Sequence, residues 1–283
     1  MSAHHYYKEF AAQEALYRCP LCHTAFAVND AGSLLCKNAH CYDISSRGYV
    51  NLLSRQMHTK YGKELFLARR EVFEGGLYDE ILSAVIQQME PIAAAGSFNL
   101  LDAGCGEGFF AKRLAAAYEA AVVIALDISK DAILMASGGP PCGVQWAVAD
   151  IANLPLADNS MDVIVNILSP ANYTEFYRVL RPGGRLIKVA PAPLHLHQLR
   201  HAASGQIQST GPDSAQVQAL FEQHLPSAAV FRVQYSRPME LPQLYRLAAM
   251  TPMLLDLDMA SLDLHGIDGI TVDVNIMVGE VVK

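Results

Sequence analysis

Leu100-Leu101-Asp102-Ala103-Gly104-Cys105-Gly106-Glu107-Gly108 is a short apolar run ending in an acid and a GxGxG turn, and its reading decides the fold. A chain that leaves a buried strand for a helix must turn tightly with φ > 0 and let bare backbone approach a ligand, and glycine does both at little steric cost. Dinucleotide-binding turns use the longer GxGxxG spacing to seat a pyrophosphate at the helix start. The shorter turn here, preceded by Asp102, predicts a nucleotide pocket with no pyrophosphate to hold.

Working outward, strand and helix alternate from Phe98 onward. Strands are expected at 99–101, 121–126, 144–149, 162–167 and 186–190, and helices at 109–118, 130–137 and 173–180. Such alternation predicts an α/β, Rossmann-like domain, a parallel sheet covered by helices. Arg181-Pro182-Gly183-Gly184 is read as the stop between the last of these helices and the fifth strand. Beyond Pro193 the pattern weakens to helices around 216–223 and 241–250 and a closing strand pair within 271–282, which would insert an antiparallel strand into the sheet. Upstream, helical spacing over 64–73 and 78–89 is interrupted by Gly75-Gly76. The chain thus divides into a small module at 1–60, a helical connector at 61–97 and the α/β domain at 98–283.

Bulk composition agrees with that division. With 283 residues, 52% hydrophobic and 17% charged, the chain can bury one large core plus an appendage, which excludes a disordered class. No stretch approaches the roughly 20 apolar residues of a membrane span, and the start has no signal-peptide layout, so a cytoplasmic protein with no membrane partner is expected. The net charge of −7 is uneven: residues 1–70 hold nine Lys or Arg against five acids, +4, leaving −11 for the remainder. A basic head on an acidic body can meet phosphates locally, although +4 over such a length also fits an ordinary solvated surface. Arg47, Arg55, Lys60, Lys63, Arg69 and Arg70 are the candidates for phosphate contact. Phe66 and Phe73 share a helical face with the last two and read as core or as base-stacking platforms.

Ligands of doubly wound sheets sit at the carboxyl ends of the strands. Three acids fall there. Asp102 can face an ammonium group, Asp127 can accept two ribose hydroxyls, and Asp150 can take an adenine amine. Any one of them alone is as well read as a helix N-cap, Asp127 before Ile128-Ser129-Lys130 especially. Together with Gly104, Gly106, Glu107 and Gly108 they point to S-adenosylmethionine as the cofactor. Cys105 reads as a small buried residue.

Cys19-x2-Cys22-x13-Cys36-x3-His40 has the spacing of a closed tetrahedral zinc site clamping a hairpin too small to hold itself. With four protein ligands the metal has no open position for water, so its role is structural. Cys41, beside His40, is the alternative fourth ligand, and spacing favours His40.

The cysteine module, then Gly48-Tyr49-Val50-Asn51-Leu52-Leu53, Ala68-Arg69-Arg70 and the GxGxG turn, closely resembles the RrmA-type 23S rRNA (guanine-N1)-methyltransferases over nearly the whole chain. Asp127-Ile128-Ser129-Lys130, Arg181-Pro182-Gly183-Gly184, Pro191-Ala192-Pro193-Leu194-His195-Leu196 and Met250-Thr251-Pro252 extend the likeness. The resemblance implies a class I S-adenosylmethionine-dependent methyltransferase fold with an N-terminal zinc-ribbon-like domain. It also implies methylation of N1 of a guanine in a hairpin loop of 23S rRNA by a homodimer whose zinc modules flank an RNA cleft. Family cofactor contacts carry over to Tyr78, Gly104, Gly106, Asp127 and His195, and zinc ligands to Cys19, Cys22, Cys36 and His40. The chain departs from the pattern at Lys60-Tyr61-Gly62-Lys63, where relatives carry a Gly-Asp-Ser element, and at Cys41.

Guanine N1 lies on the pairing edge and carries a proton, so the target must be unpaired or flipped out. Asn166-Ile167-Leu168-Ser169-Pro170, after the fourth strand, lacks the Asn-Pro-Pro-aromatic tetrad of enzymes that methylate exocyclic amines. The sequence singles out no general base. The competing readings are a methyltransferase acting on a small molecule, with the zinc module as lid or dimerisation element, and a binding protein with a degenerate cofactor fold.

Overall fold

The computed structural model describes residues 3–55, 57, 61–206 and 213–283; Lys60, one of the phosphate-contact candidates, lies outside them. The chain opens with helix α1 (Ala3–Ala12) and a small antiparallel sheet of β1 (Phe26–Val28), β2 (Ser33–Cys36) and β3 (Cys41–Asp43), in that order. Strand β4 (Tyr49–Asn51) and helices α2 (Lys63–Glu74) and α3 (Asp79–Ala93) lead into the α/β domain. There β5 (Phe98–Ala103), α4 (Phe109–Ala117), β6 (Ala121–Asp127), α5 (Lys130–Ala136), β7 (Val144–Val148), β8 (Met161–Ile167), α6 (Tyr173–Val179) and β9 (Leu180–Pro191) alternate. Helices α7 (His197–Ala202) and α8 (Ser214–His224), strand β10 (Ala229–Pro238), helix α9 (Leu241–Met250) and strand β11 (Gly269–Glu280) complete it.

The large sheet runs β10-β11-β9-β8-β5-β6-β7-β4, with β4 to β9 mutually parallel and β11 antiparallel to both its neighbours. Residues such as Val123, Ile124, Ala125 and Leu126 of β6 are buried on both faces, which is why that strand reads as a continuous apolar run. The antiparallel insertion follows the sequence expectation, but its partner does not. Residues 271–282 are not a strand pair; β11 is one long strand, and its hairpin mate is β10. β10 is an outer strand with mostly exposed side chains, and its Val230-Phe231-Arg232-Val233-Gln234-Tyr235 run, rich in β-branched and aromatic residues, was the signal available. Arg181-Pro182-Gly183-Gly184 does not separate a helix from a strand either, because β9 runs through it. Met161 pairs with Leu180 and Val163 with Arg185, so the segment bulges out of the ladder. Its backbone stays paired: the Gly183 N–H donates to Val281 O and the Val281 N–H to Gly184 O, at 2.8 and 2.9 Å.

Each face of the sheet has its own core. One is covered by α2, α3, α4, α5, α7 and α9, and Phe66 and Phe73 of α2 are buried in it, so neither is a stacking platform. The other is covered by α6, α8 and the cysteine module itself, whose Phe10, Tyr17, Phe26, Leu34, Val50 and Leu52 pack on Leu101, Ile124, Leu126 and Ala147. The module therefore occupies the place of a covering layer. Buried Tyr17 donates its hydroxyl to Gln145 Oε1 on β7 (2.7 Å), Gln145 Nε2 donates to Glu9 O (2.9 Å), and β4 extends the large sheet alongside β7. Among the described residues no helix is long and apolar enough to cross a membrane.

Candidate cofactor crevice and metal centre

Strand β5 delivers Asp102 to the carboxyl edge of the sheet and the chain then turns through three left-handed glycines, Gly104 (φ +83°), Gly106 (φ +57°) and Gly108 (φ +84°). Two of the three are also glycine for lack of space. A Cβ on Gly104 would fall 2.0 Å from Ser169 Oγ, and one on Gly108 would fall 2.4 Å from the Trp146 ring. The turn is tied back to the sheet by the N–H groups of Gly104 and Cys105, which both donate to Leu126 O at 2.9 and 3.0 Å.

Asp127, at the end of β6, accepts from Gly106 N (2.9 Å) on one oxygen and from Ser129 N (2.8 Å) on the other. It is not the N-cap of the following helix; that position belongs to Ser129, whose hydroxyl accepts from Ala132 N. Asp127 thus bridges the glycine turn and the next loop, with lone pairs left on both oxygens. Asp150 does cap a turn, accepting from Ala152 N at 2.8 Å, and it lines a small cavity with Pro20, Leu52, Arg55 and Asn153.

The acids of the turn are short of partners. Asp102 is 2% exposed with Oδ2 unbonded, and Glu107 is 3% exposed with neither carboxylate oxygen bonded. Burial, reinforced by Asp127 and Glu107, pushes the Asp102 carboxyl up to about 8. Burial likewise lifts Glu107 to about 7, with Arg69 opposing. Buried carboxyls without partners hold their protons until a cation arrives to pair with the ionised form. An ammonium beside a sulfonium is such a cation, so the residues present fit S-adenosylmethionine.

Tyr78, at the start of α3, is buried and stands with its ring 6.3 Å from that of His195, so the two lie together. His195 follows β9 in a loop pinned by buried Asp273: the Asp273 N–H donates to His195 Nδ1 (3.3 Å), and Asp273 Oδ2 accepts from Leu194 N (2.8 Å). Burial, with Arg200 adding to it, pulls the imidazole down to about 4. Accepting on Nδ1 leaves the proton of the neutral ring on Nε2.

Of the basic candidates, Arg47, Arg55 and Lys63 are exposed. Arg69 and Arg70 turn inward. Arg70 Nη2 donates to Met135 O (2.8 Å) and the Arg69 guanidinium lies over the Phe66 ring, 5.5 Å from its centre. Both correct the reading as phosphate contacts.

In the module, Cys19 Sγ, Cys22 Sγ, Cys36 Sγ and a ring nitrogen of His40 lie within 4.8 Å of one another. His40 Nδ1 is 3.4 Å from both Cys19 Sγ and Cys36 Sγ, and Cys22 Sγ is 3.6 Å from Cys36 Sγ. Such edges match a tetrahedron with bonds of roughly 2.0–2.3 Å, the dimensions of zinc. Cys41 is exposed and outside the cluster, so His40 closes it. His23 and Ala39 adopt positive φ (58° and 62°) just after Cys22 and before His40, bending each ligand loop around the site.

A further polar network lies under the loop after β8, and sequence reading missed it. Lys188 Nζ, 6% exposed as a residue, donates to Asn166 Oδ1 (2.7 Å) and Ser169 O (2.9 Å), while Asn166 Nδ2 donates to Ala103 O (2.7 Å) and Pro170 O (2.9 Å). Burial draws the lysine down to about 8. A lone lysine within Leu186-Ile187-Lys188-Val189-Ala190, and likewise Asp273 within an apolar strand, was the signal available.

Comparison with known proteins gives the arrangement a family. The methyltransferase-domain model matches residues 100–184, and the model of the RlmA N-terminal zinc ribbon matches residues 17–60. YxjB of Bacillus subtilis, named as a 23S rRNA (guanine-N(1)-)-methyltransferase, is 36% identical over 276 residues, covering 94% of this chain and 97% of its own. The 23S rRNA (guanine(748)-N(1))-methyltransferase of Streptomyces fradiae is 34% identical over 64% of this chain and 65% of its own. A Haemonchus contortus phosphoethanolamine N-methyltransferase 2 in complex with S-adenosylhomocysteine shares the fold, with a TM-score of 0.54 at 16% identity over 80% of this chain and 58% of that one. The cofactor is S-adenosylmethionine and the cysteine module is a structural zinc ribbon. Joining both modules over nearly its whole length, the chain belongs to the family of 23S rRNA (guanine-N1)-methyltransferases.

Proposed function

We propose that this protein methylates N1 of a guanine in a hairpin loop of 23S rRNA, acting in the cytoplasm as a homodimer whose zinc ribbons flank the RNA. The observation that carries the reading is the end-to-end relation to a named rRNA methyltransferase, zinc ribbon and cofactor domain together. Exposed Arg47, Arg55 and Lys63, on or just after the zinc ribbon, are the candidate phosphate contacts.

S-adenosylmethionine supplies an electrophilic methyl group on a sulfonium, open to in-line displacement. The chain's task is to bind and align. Asp102 and Glu107 serve the ammonium end, which supplies the counter-charge their buried carboxylates lack. Asp127 serves the ribose hydroxyls with the lone pairs left by Gly106 N and Ser129 N, and Asp150 the adenine amine. Gly104, Gly106 and Gly108 keep the turn low beneath the ligand. Tyr78 and His195 wall the crevice. A neutral His195 with its proton on Nε2 donates a hydrogen bond there and is not the acceptor of the guanine N1 proton. The Lys188–Asn166 network holds the backbone of the loop after β8 in place, at the end of the sheet where acceptor meets cofactor.

The test incubates the protein with methyl-labelled cofactor and naked 23S transcript. Label in RNA, at a guanine that then stops reverse transcription, supports the reading; label confined to small molecules overturns it.

A further inference from the structure

The cofactor's amino-acid end carries a carboxylate as well as an ammonium, and the acids of the glycine turn cannot serve the carboxylate. Burying that anion requires a hydrogen-bonding cation. Most cations near the crevice are engaged elsewhere: Arg70 on Met135 O, Lys188 on Asn166 and Ser169, and Lys112 over the Trp146 ring.

Arg69 differs. It comes from α2, outside the glycine-turn motif, and lies against the middle glycine, its Nη1 3.1 Å from where a Cβ on Gly106 would stand. Its Nε is shut off from solvent and has no hydrogen-bond partner. The guanidinium rests over Phe66, itself buried in the sheet's core, which limits how far it can swing. Its charge also favours the anions of both Glu107 and Asp127 and reaches Tyr78. A planar cation with an unspent donor, fixed beside the turn, matches the fork that a carboxylate accepts.

We propose that Arg69 binds the α-carboxylate of the cofactor, making this α2 arginine the residue that selects for the intact amino-acid end. The inference rests on the S-adenosylmethionine assignment and goes beyond it by naming the group that reads the carboxylate.

Calorimetry on the full chain tests it with three ligands: S-adenosylhomocysteine, its α-carboxamide, and 5′-methylthioadenosine, which lacks the amino-acid end. Arg69→Gln should weaken S-adenosylhomocysteine roughly ten- to a hundredfold, the scale of a charged hydrogen-bonded pair. Binding of 5′-methylthioadenosine should stay within about twofold, and Arg69→Lys should recover part of the loss. On the wild type the carboxamide should bind more weakly than the acid, and Arg69→Gln should erase that difference. Should Arg69→Gln not fold, Arg69→Lys and the wild-type carboxamide comparison carry the test. Equal loss of all three ligands, undiminished S-adenosylhomocysteine binding, or a wild type indifferent to the carboxamide overturns the proposal. Failure of the wild type to bind S-adenosylhomocysteine at all would instead overturn the cofactor assignment.

Discussion

Cofactor affinity should rise steeply with pH across neutrality, and the acids of the glycine turn set how steeply. In the cofactor-free chain burial holds the Asp102 carboxyl at about 8 and the Glu107 carboxyl at about 7. Between about pH 6 and about pH 8 the ionised fraction of Asp102 then climbs from roughly one in a hundred to one half, and that of Glu107 from roughly one tenth to nine tenths. An ammonium pairs with the ionised form only. Affinity for S-adenosylhomocysteine should therefore gain about fiftyfold through Asp102, or ~2.3 kcal/mol, and about tenfold, ~1.4 kcal/mol, through Glu107. The sign for stability is the reverse. A folded carboxyl raised above its unfolded value keeps protons that the unfolded chain has already lost, so the cofactor-free fold is weakened as pH rises from the ordinary carboxylate range to about 8. Isothermal calorimetry across this range, in two buffers of different ionisation enthalpy, reads both the affinity and the protons released. Asp102→Asn should remove the steeper part of the profile and flatten the decline of thermal stability. A flat or falling affinity profile, or an Asp102→Asn variant with the full wild-type slope, would refute the reasoning.

Gly108→Ala pushes a methyl to 2.4 Å from the Trp146 ring at a left-handed position and should cost about 2–3 kcal/mol, read as a shift of the denaturation midpoint. Lys188→Met strips the donor from Asn166 Oδ1 and Ser169 O. A loss of about 1–3 kcal/mol per orphaned acceptor is expected in urea unfolding, with methyl transfer falling more than S-adenosylhomocysteine affinity. Asp127→Ala should weaken S-adenosylhomocysteine by about 1.5–3 kcal/mol for each lost hydrogen bond while RNA binding is spared, checked by calorimetry and filter binding. Chelating the zinc should lower the unfolding temperature of the whole chain in a single transition, because the module shares a core with the large sheet; an unshifted main transition in calorimetric scans would contradict that.

Cofactor and metal candidates alike were legible because their signals are local. A glycine turn after an apolar run, acids at strand ends and cysteines at fixed spacing all report on stretches short enough for backbone sterics and ligand geometry to act within them. Folding added a second reason to the first: Gly104 and Gly108 take the positive φ the turn demands, and they are also crowded by Ser169, from the loop after β8, and by Trp146 of β7. His40 rather than Cys41 closes the metal cluster because the turn at Ala39 points it inward.

What the sequence determined alone was the parallel sheet with its antiparallel insertion, the acid-lined turn and the ligand quartet. Periodicity, turn chemistry and ligand spacing are properties of contiguous residues. Only the tertiary structure decided that Arg69 lies against Gly106 and Phe66, that β4 joins the large sheet, and that the zinc ribbon replaces a covering layer. It alone placed β10 beside β11 and Lys188 beneath the loop after β8. Each of these depends on segments far apart in the chain meeting, and the free energy of burying their shared surface belongs to neither segment by itself.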